Sequence, residues 1–225
     1  MEPASIIARA QSVRGEVVLR RRAEPPSQVD ELIVNGAFAM DSAEAGSERA
    51  LGRLALGAGR VLLGGLGLGY TAAELLEHAV GQLDIVELEQ CLIDWAGDGV
   101  TDTLRQVAGD PRVHLHCGDV AAALAGIGPP PGPWDAVLLD VDNGPDFLIQ
   151  RHNAALYEAP LLAAAYDQLR PDGLLAVWCQ GESPELEATL YGLGGTVDGR
   201  RFEVERGARR LTHVIYTLRK ADSVP

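Results

Sequence analysis

The chain has 225 residues, a length that suits one domain with a single core and at most a small additional unit. Its formal net charge of −13 argues against a nucleic-acid partner, because nucleic-acid-binding proteins usually carry a basic surface. The acidity would attract a cationic substrate, although it could serve solubility alone. No apolar run approaches the roughly 20 residues of a membrane helix, and no secretory leader is evident, so no membrane partner is expected.

The cysteines and histidines indicate neither disulfides nor a metal site. Cys91, Cys117 and Cys179 are odd in number, lie far apart and lack paired spacing. The five histidines are scattered as well. We therefore expect a cytoplasmic protein with reduced thiols and no bound metal.

The segment 1–56 is predicted to form a small β appendage and a linking helix. Short strands are indicated at 16–20, 31–34 and 37–40, and Asn35-Gly36 is a strong turn signal. A helix is predicted from Ser47 to about Leu56, with Ser47 as a possible N-terminal cap.

The segment 57–225 alternates between strands and helices, which predicts a parallel sheet with right-handed crossovers. Strands are indicated at 61–63, 83–86, 113–117, 136–139 and 174–178. Helices are indicated at 71–80, from 89, at 121–125, at 153–169 and at 185–190. Two last strands, 201–205 and 211–218 with Gly207 in their turn, would add an antiparallel edge strand. That ending is common in methyltransferases, so the predicted fold class is an α/β Rossmann sheet of the class I S-adenosylmethionine-dependent methyltransferase type.

A glycine-rich loop, GGLGLG at 64–69, lies between a strand and a helix of this pattern. Glycines let the backbone approach a ligand closely, and the following helix offers free N–H groups. The spacing is GxGxG rather than the dinucleotide GxGxxG, since Tyr70 takes the place of the third glycine of that motif. A tight turn without a ligand is the alternative. The candidate cofactor contacts in this loop are Gly65, Leu66, Gly67 and Gly69.

Acidic residues follow the next two strands. Glu87, with Leu88 beside it, ends the strand after the glycine loop, about 20 residues on, where a carboxylate can accept hydrogen bonds from ribose hydroxyls. It could also be an ordinary acid at a strand end. Gly118 and Asp119 end the following strand, where Asp119 could accept from the adenine amine, cap the next helix, or do both.

The fourth strand ends in Asp140, with Asp142 two residues later. Ligands of such folds bind outside the carboxyl ends of the strands, so this loop should overhang the reactive end of the cofactor. Asp140 and Asp142 are therefore the catalytic candidates, and simple turn chemistry is the alternative.

These residues together resemble the spermidine synthase family of aminopropyltransferases, in particular its divergent bacterial members. The resemblance runs from about Leu32 to Arg219 and is carried by the segments 61–69, 86–89, 110–113, 118–119 and 134–140. It implies decarboxylated S-adenosylmethionine or S-adenosylmethionine as cofactor, a small cationic amine as substrate, and a homodimer.

The resemblance also implies a mechanism in which Asp140 is the general base. In that family the acid after the fourth strand takes a proton from the amine, which attacks the propyl carbon next to the sulfonium. A positioned base contributes about 10²–10⁴ in rate. The sulfonium leaves as a neutral thioether, so the leaving group needs no acid.

Several positions depart from the family pattern. Leu68 stands where the family has an acid in the glycine loop. A glutamine near Ala39 and a Tyr-His pair near Glu48 and Arg49 are also missing, and the loop after Asp140 is about two residues shorter than in the family. Three alternatives therefore stay open: methyl transfer to a small molecule, nucleoside binding without catalysis, and NAD-dependent oxidoreduction. Tyr70 and the closing hairpin count against the last.

Overall fold

A computed structural model describes residues 4–25, 27–206 and 209–221, which form two sheets. The first is a four-stranded antiparallel sheet in the order β1–β2–β3–β4. Its strands are β1 (Ser5–Ser12), β2 (Gly15–Glu24), β3 (Ser27–Val34) and β4 (Ala37–Asp41). The appendage thus has one strand more than predicted. β1 is an edge strand without a fully buried residue, so its sequence lacks the apolar alternation that marks a strand.

Helix α1 (Gly46–Arg53) follows the appendage and differs from the prediction at both ends. Ala45, not Ser47, occupies the N-cap position. Ser47 is buried instead, and its hydroxyl contacts Glu48 and His213. The predicted capping role of Ser47 is therefore wrong, because a tertiary contact takes the hydroxyl.

The second sheet has seven strands in the order β10–β11–β9–β8–β5–β6–β7. They are β5 (Arg60–Gly64), β6 (Gln82–Glu87), β7 (Val113–Cys117), β8 (Trp134–Leu139), β9 (Leu169–Cys179), β10 (Thr196–Arg206) and β11 (Arg209–Arg219). β5 to β9 pair in parallel and β11 pairs antiparallel with β9. The closing hairpin adds an antiparallel edge strand, as predicted: β10 forms the edge, and β11 lies between β10 and β9. Gly207 lies outside the described residues.

Seven α-helices and one 3₁₀ helix occur in the part of the chain that the structure describes. After α1 they are α2 (Tyr70–Leu76), α3 (Gln90–Asp98), α4 (Asp102–Gly109), α5 (Val120–Leu124), the 3₁₀ helix (Arg151–Tyr157), α6 (Ala159–Asp167) and α7 (Pro184–Gly192). The helix predicted at 153–169 is split, because Glu158 is extended and Pro160 cannot continue a preceding helical turn. None of the helices in these ranges is both long and apolar enough to cross a membrane.

The core lies on both faces of the seven-stranded sheet. Along β5, Val61 and Leu63 belong to one apolar cluster and Leu62 belongs to the other, as the alternation of a strand requires. Val17 and Leu19 of the appendage are fully buried in the first cluster. The appendage therefore packs on the same core as the Rossmann sheet, next to the glycine loop.

Candidate active site

A cleft lies at the carboxyl ends of the central strands and encloses about 950 Å³ of empty space, part of it open to solvent. The appendage supplies one wall through Leu32, Val34, Ala39 and Met40. The other walls come from the loops that follow β5, β6, β7 and β8, together with residues of α1, the 3₁₀ helix and the end of β9. This is the edge at which open α/β sheets bind their ligands.

The glycine loop reaches the cleft through two of its four candidate residues, Gly65 and Gly67. Gly65 has a φ of +89°, and a Cβ there would lie 2.2 Å from the carbonyl oxygen of Asp140. Only glycine allows the loop to approach β8 so closely. A Cβ on Gly67 would lie 2.6 Å from Sδ of Met40, so the appendage packs directly on the loop.

The other two loop candidates, Leu66 and Gly69, are not among the residues that line the cleft. Gly69 is the N-cap of α2, and a Cβ there would contact Val107 and Leu104 of α4. Leu66 is buried in the core, as is Leu68, which is 1% exposed. The side chain at the position of the family's loop acid therefore packs in the protein interior.

Glu87 lies at the end of β6 and lines the cleft together with Leu88. Its Oε2 accepts a hydrogen bond from the backbone N–H of Leu66, and its Oε1 accepts one from the backbone N–H of Glu89, each at 2.8 Å. Burial raises the pKa of Glu87, and the backbone hydrogen bonds oppose that shift. Each oxygen of a carboxylate can accept a second hydrogen bond, so the arrangement leaves capacity for a ligand hydroxyl.

Gly118 and Asp119 also line the cleft, at the end of β7. Asp119 caps α5, because its Oδ1 accepts the N–H of Ala121 at 2.9 Å. The predicted capping role is thus confirmed, and the exposed carboxylate remains open to the cleft. A Cβ on Gly118 would meet nothing within 4 Å.

Asp140 follows β8 and lines the cleft above the glycine loop. Its Oδ2 lies 2.5 Å from the hydroxyl of Thr71, in the first turn of α2. Burial raises the pKa of Asp140 to about 6, against the opposing effect of the Thr71 hydrogen bond. A carboxyl group with this pKa is ionised near neutral pH and still basic enough to take a proton.

Asp142 lines the cleft as well, but its oxygens hold the next segment of the chain. They accept the side-chain amide of Asn153 at 2.8 Å and the N–H of Gln150 at 3.3 Å. The hydroxyl of Tyr157 donates to the carbonyl of Val141 at 2.5 Å. These contacts fix the 3₁₀ helix over the cleft and give Asp142 a structural role.

Glu48 of α1 and Trp178 of β9 also line the cleft. Glu48 is 5% exposed and accepts the hydroxyl of Ser47 at 2.7 Å. The same hydroxyl lies 2.9 Å from Nδ1 of His213, whose ring packs edge-on against Trp178. No local pattern could reveal this cluster, because its members come from α1, β9 and β11.

Unpartnered polar atoms concentrate at the cleft. Among the described residues, four buried side-chain polar atoms have no hydrogen-bond partner. Three of them, Glu89 Oε2, Gln150 Nε2 and Trp178 Nε1, belong to residues that line this cleft. An unsatisfied buried polar group costs about 1–3 kcal/mol, so the concentration points to a ligand with hydrogen-bonding groups. The described ranges contain no group of three or more potential metal-ligating side chains.

Comparison with known proteins gives relatives of one kind. No protein-family model matches the chain. The polyamine aminopropyltransferase of Mycobacterium tuberculosis is 33% identical over 136 residues, which cover 60% of this chain and 25% of that protein. Spermidine synthase 1 of Hyoscyamus niger is 33% identical over 127 residues, which cover 55% of this chain and 36% of that protein. Over these segments the chain is similar in sequence to spermidine synthases. It matches only about a quarter to a third of the length of these relatives.

Solved structures of spermidine synthases share the fold. One, in complex with the transition-state analogue AdoDATO, has a TM-score of 0.74 at 16% identity and covers 97% of this chain and 75% of its own. The enzyme from Thermotoga maritima has a TM-score of 0.73. The predicted resemblance to the spermidine synthase family and the predicted fold class are therefore confirmed.

Proposed function

We propose that the chain is a transferase that uses an adenosyl sulfonium cofactor and passes an aminopropyl group to a small amine. The observation that carries the proposal is Asp140, a carboxylate that lines the cleft, accepts a hydrogen bond from Thr71 and has a pKa raised to about 6 by burial. The names of the relatives, polyamine aminopropyltransferase and spermidine synthase, support the reaction type.

The residues of the cleft fit an adenosyl group. Gly65 and Gly67 offer close backbone approach, Leu88 offers an apolar surface, and Glu87 and Asp119 offer acceptors for hydroxyl and amino groups. The unpartnered buried atoms at the same place are what such a ligand would satisfy. When bound, the sulfonium supplies an electrophilic carbon and a neutral leaving group.

Asp140 would take the proton that the attacking amine must lose. The amine nitrogen would form a bond to the propyl carbon of the bound donor, the carbon–sulfur bond would break, and the electron pair of that bond would go to the sulfur, which becomes a neutral thioether. The proton released from nitrogen passes to the Asp140 carboxylate. Thr71 holds that carboxylate in place through one oxygen, which leaves the other oxygen for the amine.

Glu48 and Trp178 would form the end of the cleft that receives the cationic amine. A buried carboxylate attracts an ammonium group, and an aromatic face stabilises a cation further. Ser47 donates to Glu48, so the proton between Ser47 and His213 must come from Nδ1 of the imidazole. Ser47 and His213 would thus hold the Glu48 side chain in position.

The test is an assay of methylthioadenosine release from decarboxylated S-adenosylmethionine with putrescine and related diamines. We expect turnover by the wild type and its loss in Asp140→Asn. Asp146→Asn is the matched control, since Asp146 lies in the same loop, is exposed and does not line the cleft. Methyl transfer from intact S-adenosylmethionine, without release of methylthioadenosine, would refute aminopropyl transfer and favour a methyltransferase. Binding of a nucleoside without turnover of any acceptor would refute catalysis.

A further inference from the structure

Arg14 joins the appendage to the cleft. It lies in the turn between β1 and β2, 75 positions before its partner in the chain. Its Nε donates to Oε1 of Glu89 at 2.8 Å, and its Nη2 donates to the carbonyl oxygen of Leu88. Leu88 and Glu89 both line the cleft, next to Glu87. A residue of the small sheet therefore positions the segment between β6 and α3.

One of the two carboxylate oxygens of Glu89 has no hydrogen-bond partner. Its side chain is 7% exposed, and Oε2 is buried without a hydrogen-bond partner, whereas Oε1 is held by Arg14. Glu87, two residues earlier, differs in this respect, because each of its oxygens already accepts a backbone N–H. Among the acids at this end of the cleft, Glu89 is thus the one with an unsatisfied buried oxygen.

A carboxylate oxygen is a strong hydrogen-bond acceptor, and Oε2 of Glu89 has no donor in the structure. Leaving it unpaired in a buried site costs more than leaving a neutral group unpaired. Arg14 holds the carboxylate by two contacts to this short segment, so Oε2 is oriented before a ligand arrives. The expected ligand at the end of β6 is the nucleoside part of the cofactor, which carries hydroxyl and amino donors.

We propose that Glu89 Oε2 accepts a hydrogen bond from a donor of the bound nucleoside and that Arg14 of the appendage is the residue that positions it. The inference rests on the proposed function in so far as the cleft must bind an adenosyl nucleoside. It makes the small sheet a functional part of the nucleoside site. Affinity for the nucleoside then depends on a side chain outside the Rossmann domain.

Calorimetric titration with 5′-methylthioadenosine tests the assignment without turnover. We expect Glu89→Gln and Arg14→Gln each to weaken binding about tenfold, the difference between a well-oriented charged acceptor and a poor neutral one. Arg14→Lys should recover part of the loss. Arg9→Gln is the matched control, because Arg9 pairs with Glu16 in the same hairpin, is exposed and does not line the cleft.

A double variant separates positioning from a general structural effect. If Arg14 acts through Glu89, Arg14→Gln adds little to the affinity loss in a Glu89→Gln background, while independent effects would multiply. The 2′-deoxy, 3′-deoxy and 6-deamino analogues of the nucleoside identify the donor, since Glu89→Gln should not weaken the analogue that lacks it.

The outcomes that overturn the proposal are distinct. If Glu89→Gln binds methylthioadenosine as tightly as the wild type, the assignment of Glu89 is wrong, and the proposed function stands. If the two single-variant losses multiply in the double variant, Arg14 does not act through Glu89. If the folded wild type binds neither methylthioadenosine nor decarboxylated S-adenosylmethionine, the assignment and the proposed function both fail.

Discussion

Asp140→Asn removes one charge from the lining of the cleft and leaves the size of the side chain almost unchanged. The carbonyl oxygen of asparagine can accept the hydrogen bond from Thr71 that Oδ2 accepts at 2.5 Å. The backbone N–H of residue 140 donates to Gly64 at 2.9 Å, and the substitution does not alter that bond. The variant should therefore fold and keep the geometry of the loop.

The stability of the variant follows from the pKa of Asp140. Burial raises that pKa from 3.8 to about 6, so folding becomes less favourable as the pH rises through this interval. Above pH 6 the full penalty applies, about 3 kcal/mol for a shift of this size. Asparagine carries no such penalty. We expect Asp140→Asn to be more stable than the wild type by about this amount at pH 8, and by little at pH 3.5.

The activity of the variant should change in the opposite direction. Loss of a positioned base lowers the rate by about 10²–10⁴. In the wild type, kcat/KM should rise with pH up to about 6 and then level off, because only the ionised carboxylate takes a proton. The residual rate of the variant should lack this acid limb.

Urea denaturation at pH 3.5 and pH 8, together with the methylthioadenosine assay across the same range, measures both effects. Exposed Asp146→Asn provides the control for the loss of one loop charge. Full turnover in Asp140→Asn would remove Asp140 from the mechanism. A stability difference that does not change with pH would show that burial does not raise the pKa of this carboxyl group.

Three further substitutions test the rest of the cleft. Glu48→Gln keeps an acceptor for Ser47 but removes the charge, so we expect KM for the amine to rise tenfold or more, by steady-state kinetics, with nucleoside affinity unchanged. Leu68→Asp should destabilise the protein by about 4 kcal/mol or more in urea denaturation, because the side chain would be an unpaired charge in the core; a folded, more active variant would contradict this. Tyr157→Phe should cost about 1–3 kcal/mol by the same measurement, since it leaves the carbonyl of Val141 unpaired; an unchanged midpoint would refute that contact.

Several site residues could be predicted because their positions depend only on local patterns. Gly65, Glu87 and Asp140 each directly follow or end a strand that is recognisable from its apolar residues. The carboxyl ends of neighbouring parallel strands meet at one edge, so the alternation of strands and helices was enough to bring these residues together.

The errors have identifiable physical causes. The helix predicted at 153–169 is in fact two helices. The prediction gave more weight to the helical spacing of the apolar residues than to Pro160, which cannot continue a preceding helical turn. Strand β1 was missed because pairing with β2, and not burial of its own residues, holds it in place. Gly69 stays a prediction as a cofactor contact; in the structure it is the N-cap of α2 and packs near Leu104 and Val107 of α4.

The sequence by itself determined the alternation of strands and helices that forms the parallel sheet, the glycine loop and the acids at the strand ends. Only the tertiary structure decided which other side chains reach the cleft. Arg14 meets Glu89 across 75 positions, and Ser47 meets His213 across 166. Such contacts depend on how the appendage and α1 pack on the sheet. Burial of apolar surface drives that packing, and the local sequence does not show which polar groups the packing brings together.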